Sequence, residues 1–294
     1  MIFQNTGILK HYGKSYTAEG YYFKGSTPQI TAFAAGELEL AALAFSSFGL
    51  AIENARMNDI RLVGDLYQDG VTGYYSSQYV VRADSDIHKV EDLKGKVLAS
   101  NGLGGAIDMA MRKMLRTHGL EDKRDYSIIE VEFPNMAAML GEKKVDLAGM
   151  VAPFSLTEVK SGRARPLFTI KDAMGVAQTT LLAARAGYIE KNRETLTDFF
   201  EDVQIGTRWL LDKANRAEAL AVVSKVTKRP ESVYADWLFT GDDYFHDPDA
   251  RPNVTALQSN LTVQKELGFL KRDIDLSRYT DLSLVDAAAK RPRT

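Results

Sequence analysis

Apolar positions in this chain fall into short blocks whose spacing changes character near residue 186. From Leu38 to Ala44 an apolar run precedes a small polar pair, Ser46 and Ser47, and Phe48, Ile52 and Ala55 then recur at helical spacing. Segment 37–58 therefore predicts a strand, a tight loop and a helix. A second unit reads the same way: KVLAS (96–100) as strand, NGLGG (101–105) as a glycine-rich loop, and 106–118 as an amphipathic helix ended by Gly119. Ile128 to Phe133 predicts a third strand, followed through Pro134 and Asn135 by a helix over 136–143. Val145 to Met150 (VDLAGM) predicts a fourth, turning at Ala152 and Pro153 into a helix that reaches Lys160, and Arg165 to Ile170 adds another strand. Strands alternating with helices through short loops imply a mostly parallel sheet with helices on its faces, so the first 185 residues are α/β. Beyond Ala186 only helical patterns remain, over 189–211, 214–227, 231–239, 253–267 and 282–289. Two β-prone segments, QYVVR (78–82) and TTLLAA (179–184), bracket a block that makes a complete α/β unit by itself. A domain inserted in this way is joined by two crossing strands, which form a natural hinge. The expected organisation is thus an outer lobe of 1–78 plus 184–294 and an inserted lobe of 79–183.

Composition narrows the function. The 294 residues are 45% hydrophobic, 26% charged and 10% aromatic, as in ordinary globular proteins. With 37 basic against 39 acidic residues the net charge is −2, which gives no standing basic field for nucleic acid or an anionic membrane surface. There is no cysteine, so disulfides, thiolate nucleophiles and Cys-rich metal sites are excluded for these residues. Met1 to Tyr16 lacks the apolar core of a secretory signal, and no apolar run is long enough to span a bilayer.

Candidate chemistry lies in the loops that follow strands. The NGLGG loop is neither a dinucleotide fingerprint, since Ile107 stands where the third glycine is needed, nor a Walker loop. It predicts backbone N–H groups at Gly104, Gly105 and Ala106, on the positive end of a helix, as an anion site, with Asn101 as a cap or ligand contact. The bland reading is an ordinary strand-to-helix turn. Ser46 and Ser47 repeat the arrangement and are equally well read as capping hydroxyls. Ligands of open α/β sheets bind at strand carboxyl ends. Ser46/Ser47, Asn101 to Ala106, Asn135, and Pro153 with Phe154 stand at four such ends, and a cleft between lobes lined by them suits a small organic anion. Enzymatic constellations are poor: His11, His88, His118 and His246 lie away from these ends, with no metal-ligand spacing between them. His11 sits in a helix-like start, and His118 before Gly119 reads as a helix C-terminal cation. The loop of Asp242, Asp243, His246, Asp247 and Asp249 lacks the glycine and glutamate of a calcium loop and reads as a solvated connector. No catalytic residue, metal or cofactor is expected.

TAFAAGELELAALA (31–44) followed by Ser46, VEDLKGKV (90–97) followed by NGLGG, VDLAGMVAPF (145–154) and the tail LGFLKRDIDLSRYTDLSLV (267–285) resemble the periplasmic substrate-binding proteins of ABC importers. Within them the resemblance is to the taurine, aliphatic sulfonate and nitrate group, which includes binders of thiamine-pyrimidine precursors and of aromatic acids. The resemblance covers nearly the whole chain. It implies a two-lobed type II binding-protein fold with two hinge strands and a helical C-terminal part. It also implies a monomeric periplasmic receptor that closes on a small anion and delivers it to a membrane permease. Ligand contacts are carried to Ser46, Ser47, Phe48, Asn101, Gly104, Gly105, Ala106, Pro153 and Phe154, and less firmly to Asn135 and Gln178. Family members begin with a signal peptide, a first strand and a loop before the helix that GILKHYGKSY (7–16) matches, so the given sequence opens inside that helix: either its start is truncated, the preferred reading, or the first strand is missing and the outer lobe's sheet lacks a central member. The alternatives are an enzyme similar to thiamine-pyrimidine synthases, which needs the cysteines this sequence lacks, and a ligand-sensing domain of a regulator.

Overall fold

A computed structural model describes residues 2–23, 26–55 and 57–292. Along the chain, α1 (Ser26–Ala34) leads to β1 (Leu40–Ala44), which runs directly into α2 (Phe45–Glu53), and β2 (Ile60–Asp69) and β3 (Gln78–Arg82) follow. Next come β4 (Val97–Ser100), α3 (Ala106–Thr117), β5 (Ser127–Glu130), α4 (Phe133–Gly141), β6 (Leu147–Met150), α5 (Phe154–Lys160), β7 (Ala164–Thr169), α6 (Ile170–Met174) and β8 (Ala177–Arg185). The remainder is helical: α7 (Ala186–Lys191), α8 (Arg193–Leu211), α9 (Arg216–Thr227), α10 (Val254–Glu266) and α11 (Ser283–Ala289). The chain divides into two units, Met1–Gln68 with Gln178–Gln258 and Ile274–Thr294, and Asp69–Ala177 with Ser259–Asp273. It therefore passes between units at 68/69 and 177/178, where the sequence reading put the borders at 78 and 184, and segment 259–273 joins the second unit.

The second unit is built on a five-stranded sheet in the order β5-β4-β6-β3-β7. The βα repeats make β4 parallel to β5 and β6, whereas β3 runs antiparallel to β6 and β7, so the sheet is mixed. Side chains alternate across it with the period of two that strands impose. Tyr79, Leu98 and Leu147 face Ile107, Met111 and Leu115 of α3, while Val80, Ala99 and Ala148 face Met136 and Leu140 of α4. QYVVR is thus an inner strand of this sheet, with Tyr79, Val80 and Val81 fully buried. Helix α3 lies very close to β6: a Cβ on Gly149 would come within 2.5 Å of Ile107 Cγ2 and 3.0 Å of Tyr79 Cε1.

The first unit holds a three-stranded sheet in the order β1-β8-β2, with β1 and β8 antiparallel from Leu40↔Ala184 to Ala44↔Thr180. Phe200 of α8 and Leu284 and Val285 of α11 pack on Val63, Leu182 and Ala184. The approach requires glycine at position 64, where a Cβ would lie 2.7 Å from Phe200 Cε1. Strand β2 would otherwise present an open edge. Residues 245–250 and 281 cover it: Gln68 N donates to Phe245 O at 2.8 Å, Asp65 N to Ala250 O at 2.8 Å and Asp281 N to Leu62 O at 2.9 Å.

Two expected helices are absent. GILKHYGKSY forms a 3-10 turn at Thr6–Ile8 and then a turn closed by a Tyr12↔Tyr16 bridge, with Gly13 at φ 78°. Its amides bond outward instead of along a helix. Asp202, fully buried on α8, accepts from Lys10 N at 2.8 Å, Tyr12 N at 2.9 Å and Tyr16 Oη at 2.9 Å, and from His11 N. Segment 231–239 has one 3-10 turn, Glu231–Val233, followed by turns that end with Phe239 at φ 56°. Arg216 caps this segment by donating to Leu238 O at 2.8 Å and to Ala235 O. Among the described residues no helix is long and apolar enough to cross a membrane.

Candidate functional site

In the first unit the candidate residues gather at one sheet edge. β1 ends beside the start of β8, and Gln178 at that start bonds Asp65 of β2 through Nε2···Oδ1 at 2.5 Å, so the last residues of β2 reach the same edge. No loop separates β1 from α2. Ala44 is the N-cap residue, extended at φ −67° and ψ 153°, and it offers no capping side chain. Ser46 and Ser47 lie inside the first helical turn and are nearly buried, at 1% and 6% exposure, so they are not the N-caps that the bland reading made them. The helix starts early because Phe45 and Phe48, three residues apart, are both fully buried on its core face. Phe48 is accordingly a core residue as well as a carried-over contact.

Gln178 is fully buried, and its Oε1 accepts from Asn253 N at 2.7 Å. Its partner Asp65 also accepts from Asp247 N at 3.2 Å. Burial drives the Asp65 carboxyl up to about 7, against the opposing effects of Gln178 and the Asp247 amide. The loop expected to be a solvated connector is instead folded onto β2. Asp243 is 2% exposed and accepts from Phe239 N at 2.8 Å, and His246 Nδ1 bonds Leu66 O at 2.9 Å. Burial pulls the His246 pKa down, but Asp243 and the Leu66 carbonyl outweigh it, so the net shift is upward. Around this imidazole stand Tyr67, with its ring centroid 4.8 Å from that of Tyr244 and 6.3 Å from that of His246, and Phe239 at 6.1 Å from His246. The sequence reading missed this group. Its signal was Phe239 ahead of the Asp-rich run and Tyr244 within it.

In the second unit, parallel β4, β5 and β6 release their loops at a common edge. Gly104 is in the left-handed region at φ 76°, which favours glycine, and Gly105 is the helix N-cap. Of the three amides expected to be free, two are engaged. Gly104 N donates to Asp108 Oδ2 at 2.7 Å and Gly105 N to Gly102 O at 3.2 Å, leaving Ala106 as the one not taken in this way. Leu103 N is likewise bonded, to Glu130 Oε1 at 2.7 Å. Asp108 is fully buried and held by Arg112 Nε at 2.9 Å, and Arg112 Nη1 reaches Asp122 at 2.6 Å. Burial raises the Asp108 pKa, opposed by Arg112 and by the Gly104 amide. The positive end of α3 thus already faces a carboxylate of the chain itself.

Asn101 is exposed and caps nothing, since Gly105 is the N-cap. Asn135, expected in a loop, is exposed inside the first turn of α4, which begins at Phe133 with a proline in its first positions. Pro153 is the N-cap of α5, and the Phe154 ring stacks on Phe133 at 6.2 Å and 17°. Behind them the Ser155 hydroxyl, fully buried, bonds the Tyr75 hydroxyl. Ser100, at the end of β4, is also fully buried, and its Oγ has no hydrogen-bond partner among the described residues.

A second cluster lies at the N-terminal segment, where ligand-capable atoms of His11, Asp198 and Glu201 fall within 4.8 Å of one another. It is an ion-pair network. Arg291 Nη1 donates to Asp198 at 2.5 Å and Glu201 at 2.6 Å, and Lys10 Nζ reaches Glu201 at 2.8 Å, so the cations the carboxylates need are covalently part of the chain.

A family model described as NMT1/THI5 like matches residues 24–217. Among solved structures, the periplasmic aliphatic sulphonate binding protein SsuA from Escherichia coli superposes with a TM-score of 0.70 at 18% identity, covering 95% of this chain and 86% of its own. The periplasmic nitrate-binding protein NrtA from Synechocystis PCC 6803 gives 0.73 at 16% identity, covering 98% and 84%. The desulfurization enzyme DSZB gives 0.65 at 13% identity, covering 86% of each chain. A curated relative, the candidate binding protein YtlA of Bacillus subtilis (strain 168), is 22% identical over 132 residues, which are 45% of this chain and 40% of that protein. The match therefore spans well under half of that relative's length. The fold these neighbours share is the type II periplasmic binding-protein fold that the sequence led us to expect.

Proposed function

Because the chain belongs to the NMT1/THI5-like family, we propose that it is the solute-binding component of an ABC import system, capturing a small organic anion and delivering it to a membrane permease. The observation that carries this reading is the state of the polar groups at the two sheet edges. Gln178 is bonded at both ends of its amide, and the Ser155 and Tyr75 hydroxyls bond each other. Groups fixed by such internal bonds give each edge a rigid, pre-arranged frame for a solute, and no nucleophile–base pair is built among them. The similarity to SsuA, an aliphatic sulphonate binding protein, and to NrtA, a nitrate-binding protein, supports the anion class. Within the first unit the proposed contacts are Ser46 and Ser47, with Gln178 fixing the strand edge beside them; within the second unit, taken by itself, they are Asn101, the Ala106 amide, Asn135, Pro153 and Phe154. Gly104 and Gly105 shape the loop. The receptor acts as an exported, periplasmic monomer. Solute binding biases the protein toward the loaded form that the permease receives.

The enzymatic reading has a specific neighbour in DSZB, whose cysteine-to-serine mutant was solved with biphenyl-2-sulfinic acid. A thiol-dependent reaction has no counterpart in these residues, which contain no cysteine.

A thermal-shift screen over sulfonates, nitrate, carboxylates, aromatic acids and pyrimidines tests the proposal. At one hundred times Kd a bound solute stabilises by about 2.7 kcal/mol, which raises Tm by roughly 4 °C in a chain of this size. A screen in which no class raises Tm contradicts it.

A further inference from the structure

Asp65 is a buried carboxylate with no cation of its own. It is 4% exposed on β2, and among the described residues no lysine or arginine pairs with it. Its hydrogen bonds come from neutral donors: the Gln178 side-chain Nε2 donates to Oδ1 at 2.5 Å and the Asp247 backbone amide to Oδ2 at 3.2 Å. Two neutral donors compensate a buried charge only in part, so burial prevails and the pKa stands at about 7. The titratable groups that face it both lie on the segment covering β2: His246, which favours the charged form, and Asp247, which opposes it. Asp243 faces the imidazole. The other elements bring no charge: β8 gives Gln178, the start of α10 gives the Asn253 amide that holds Gln178, and α8 sets Phe200 against the neighbouring Gly64.

The same Gln178 stands beside the proposed contacts of the first unit. Two residues beyond the last β1–β8 pair, Ala44↔Thr180, the chain positions are Ser46 and Gln178. One side-chain amide thus lies between Asp65 and the edge that carries Ser46 and Ser47. It cannot swing away freely, because Nε2 also donates to Thr180 O at 3.1 Å and Oε1 accepts from Asn253 N at 2.7 Å. An anion at this edge therefore meets the Asp65 carboxyl across a fixed amide, in surroundings that screen like charges poorly.

We infer that Asp65 is a proton-binding site coupled to the solute contacts of the first unit, so that the chain takes up its anionic solute together with one proton on this carboxyl. This rests on the solute-receptor reading and adds to it how capture is regulated. The proton comes from solvent and no bond of the solute changes. Linkage fixes the sign: an anion at the edge makes the ionised carboxyl harder to keep, so it strengthens proton binding, and the protonated chain reciprocally binds the anion more tightly. Affinity therefore falls as pH rises through neutrality.

Nitrate, methanesulfonate, benzenesulfonate, acetate and benzoate, all ionised from about pH 6 upward, are titrated calorimetrically into the full chain. Comparing two buffers of different ionisation enthalpy at one pH counts the protons taken up. The expected result near neutral pH is about half a proton per bound anion, with an affinity that falls roughly fivefold or more between about pH 6 and 8.5. Asp65→Asn, which keeps the shape of the neutral side chain, flattens that profile and abolishes the uptake, whereas His246→Gln retains an uptake. The count on the unsubstituted chain stands whether or not Asp65→Asn folds. Binding with constant affinity and no proton uptake overturns the coupling and leaves the receptor reading in place. Uptake that survives Asp65→Asn but is lost in His246→Gln overturns the assignment to Asp65. If none of the five anions binds, both readings fall.

Discussion

Asp108 accepts the backbone N–H of Gly104 at 2.7 Å, and this single bond alters what the glycine-rich loop can do. The anion expected at the start of α3 is already present as a side chain four residues along, held in turn by Arg112. An incoming anion competes with Asp108 for the loop, or uses the next amide, that of Ala106. Asp108→Asn should therefore weaken the Arg112 pairing and lower stability by about 3 kcal/mol, the usual consequence of breaking a buried ion pair. Chemical denaturation measures it, and an unchanged midpoint contradicts the structural role.

Gly104 has φ 76° and a Cβ there would approach the Phe269 ring at 3.4 Å. Gly104→Ala is expected to reduce stability by about 1–2 kcal/mol through the left-handed backbone alone. Gly104→Val, which adds bulk at the loop, should leave the chain folded yet remove solute-induced thermal stabilisation. Solute shifts equal to those of the unsubstituted protein would exclude this loop from the site.

The stability profile with pH follows from three groups. Asp65 binds its proton more tightly folded, at about 7, than unfolded, so its contribution is complete below the ordinary carboxylate range and is lost as pH rises toward 7. His246, also raised, acts in the same direction. Glu201 is held down to about 2; burial alone would raise it, but Arg291, Lys10 and His11 dominate, so its contribution is lost only as pH falls from about 4.5 toward 2. Maximum stability from these groups is thus expected at about pH 4–4.5, where the contribution of Glu201 is complete and the loss of that of Asp65 has only begun. Asp65→Asn should flatten the fall on the alkaline side. A Tm that climbs steadily from pH 5 to pH 8 would contradict this.

Asp202 anchors residues 10–16 through three backbone amides and the Tyr16 hydroxyl. Asp202→Ala leaves these donors without their charged acceptor and should destabilise by about 2–4 kcal/mol, at roughly 1–3 kcal/mol per lost charge-assisted bond with partial rescue by water. Hydrogen exchange at the amides of Lys10, His11 and Tyr12 should accelerate well beyond the change in global stability. Retained protection there would show that Asp202 is not the anchor.

Much of the architecture was readable from periodicity, because buried strands and amphipathic helices repeat at their own spacing. QYVVR is β3 to the residue, and the helix over 106–118 ends, as expected, before Gly119 at φ 77°. What was not readable depends on partners distant in sequence. GILKHYGKSY has helical-looking spacing, but Asp202, some 190 positions away, captures its amides. The 240–250 loop looks solvated until β2 supplies an edge to receive it. The 259–273 segment gives no local sign that it belongs with the second unit. At the candidate site, the glycine pattern correctly marked a helix N-terminus, yet the acid at 108, four positions beyond Gly104, was a local signal that it is self-occupied. Ser46 and Ser47 were placed at the right strand end but in a loop that does not exist, because Phe45 and Phe48 draw the helix back to the strand.

The central claim, that this chain captures a solute without transforming it, is tested most directly by calorimetric titration followed by chemical analysis of the recovered solute. The account predicts that one class among sulfonates, nitrate, carboxylates and aromatic acids saturates a single site per chain and is recovered unchanged after prolonged incubation. Absence of saturable binding across all these classes, or conversion of the bound solute into product, would contradict it.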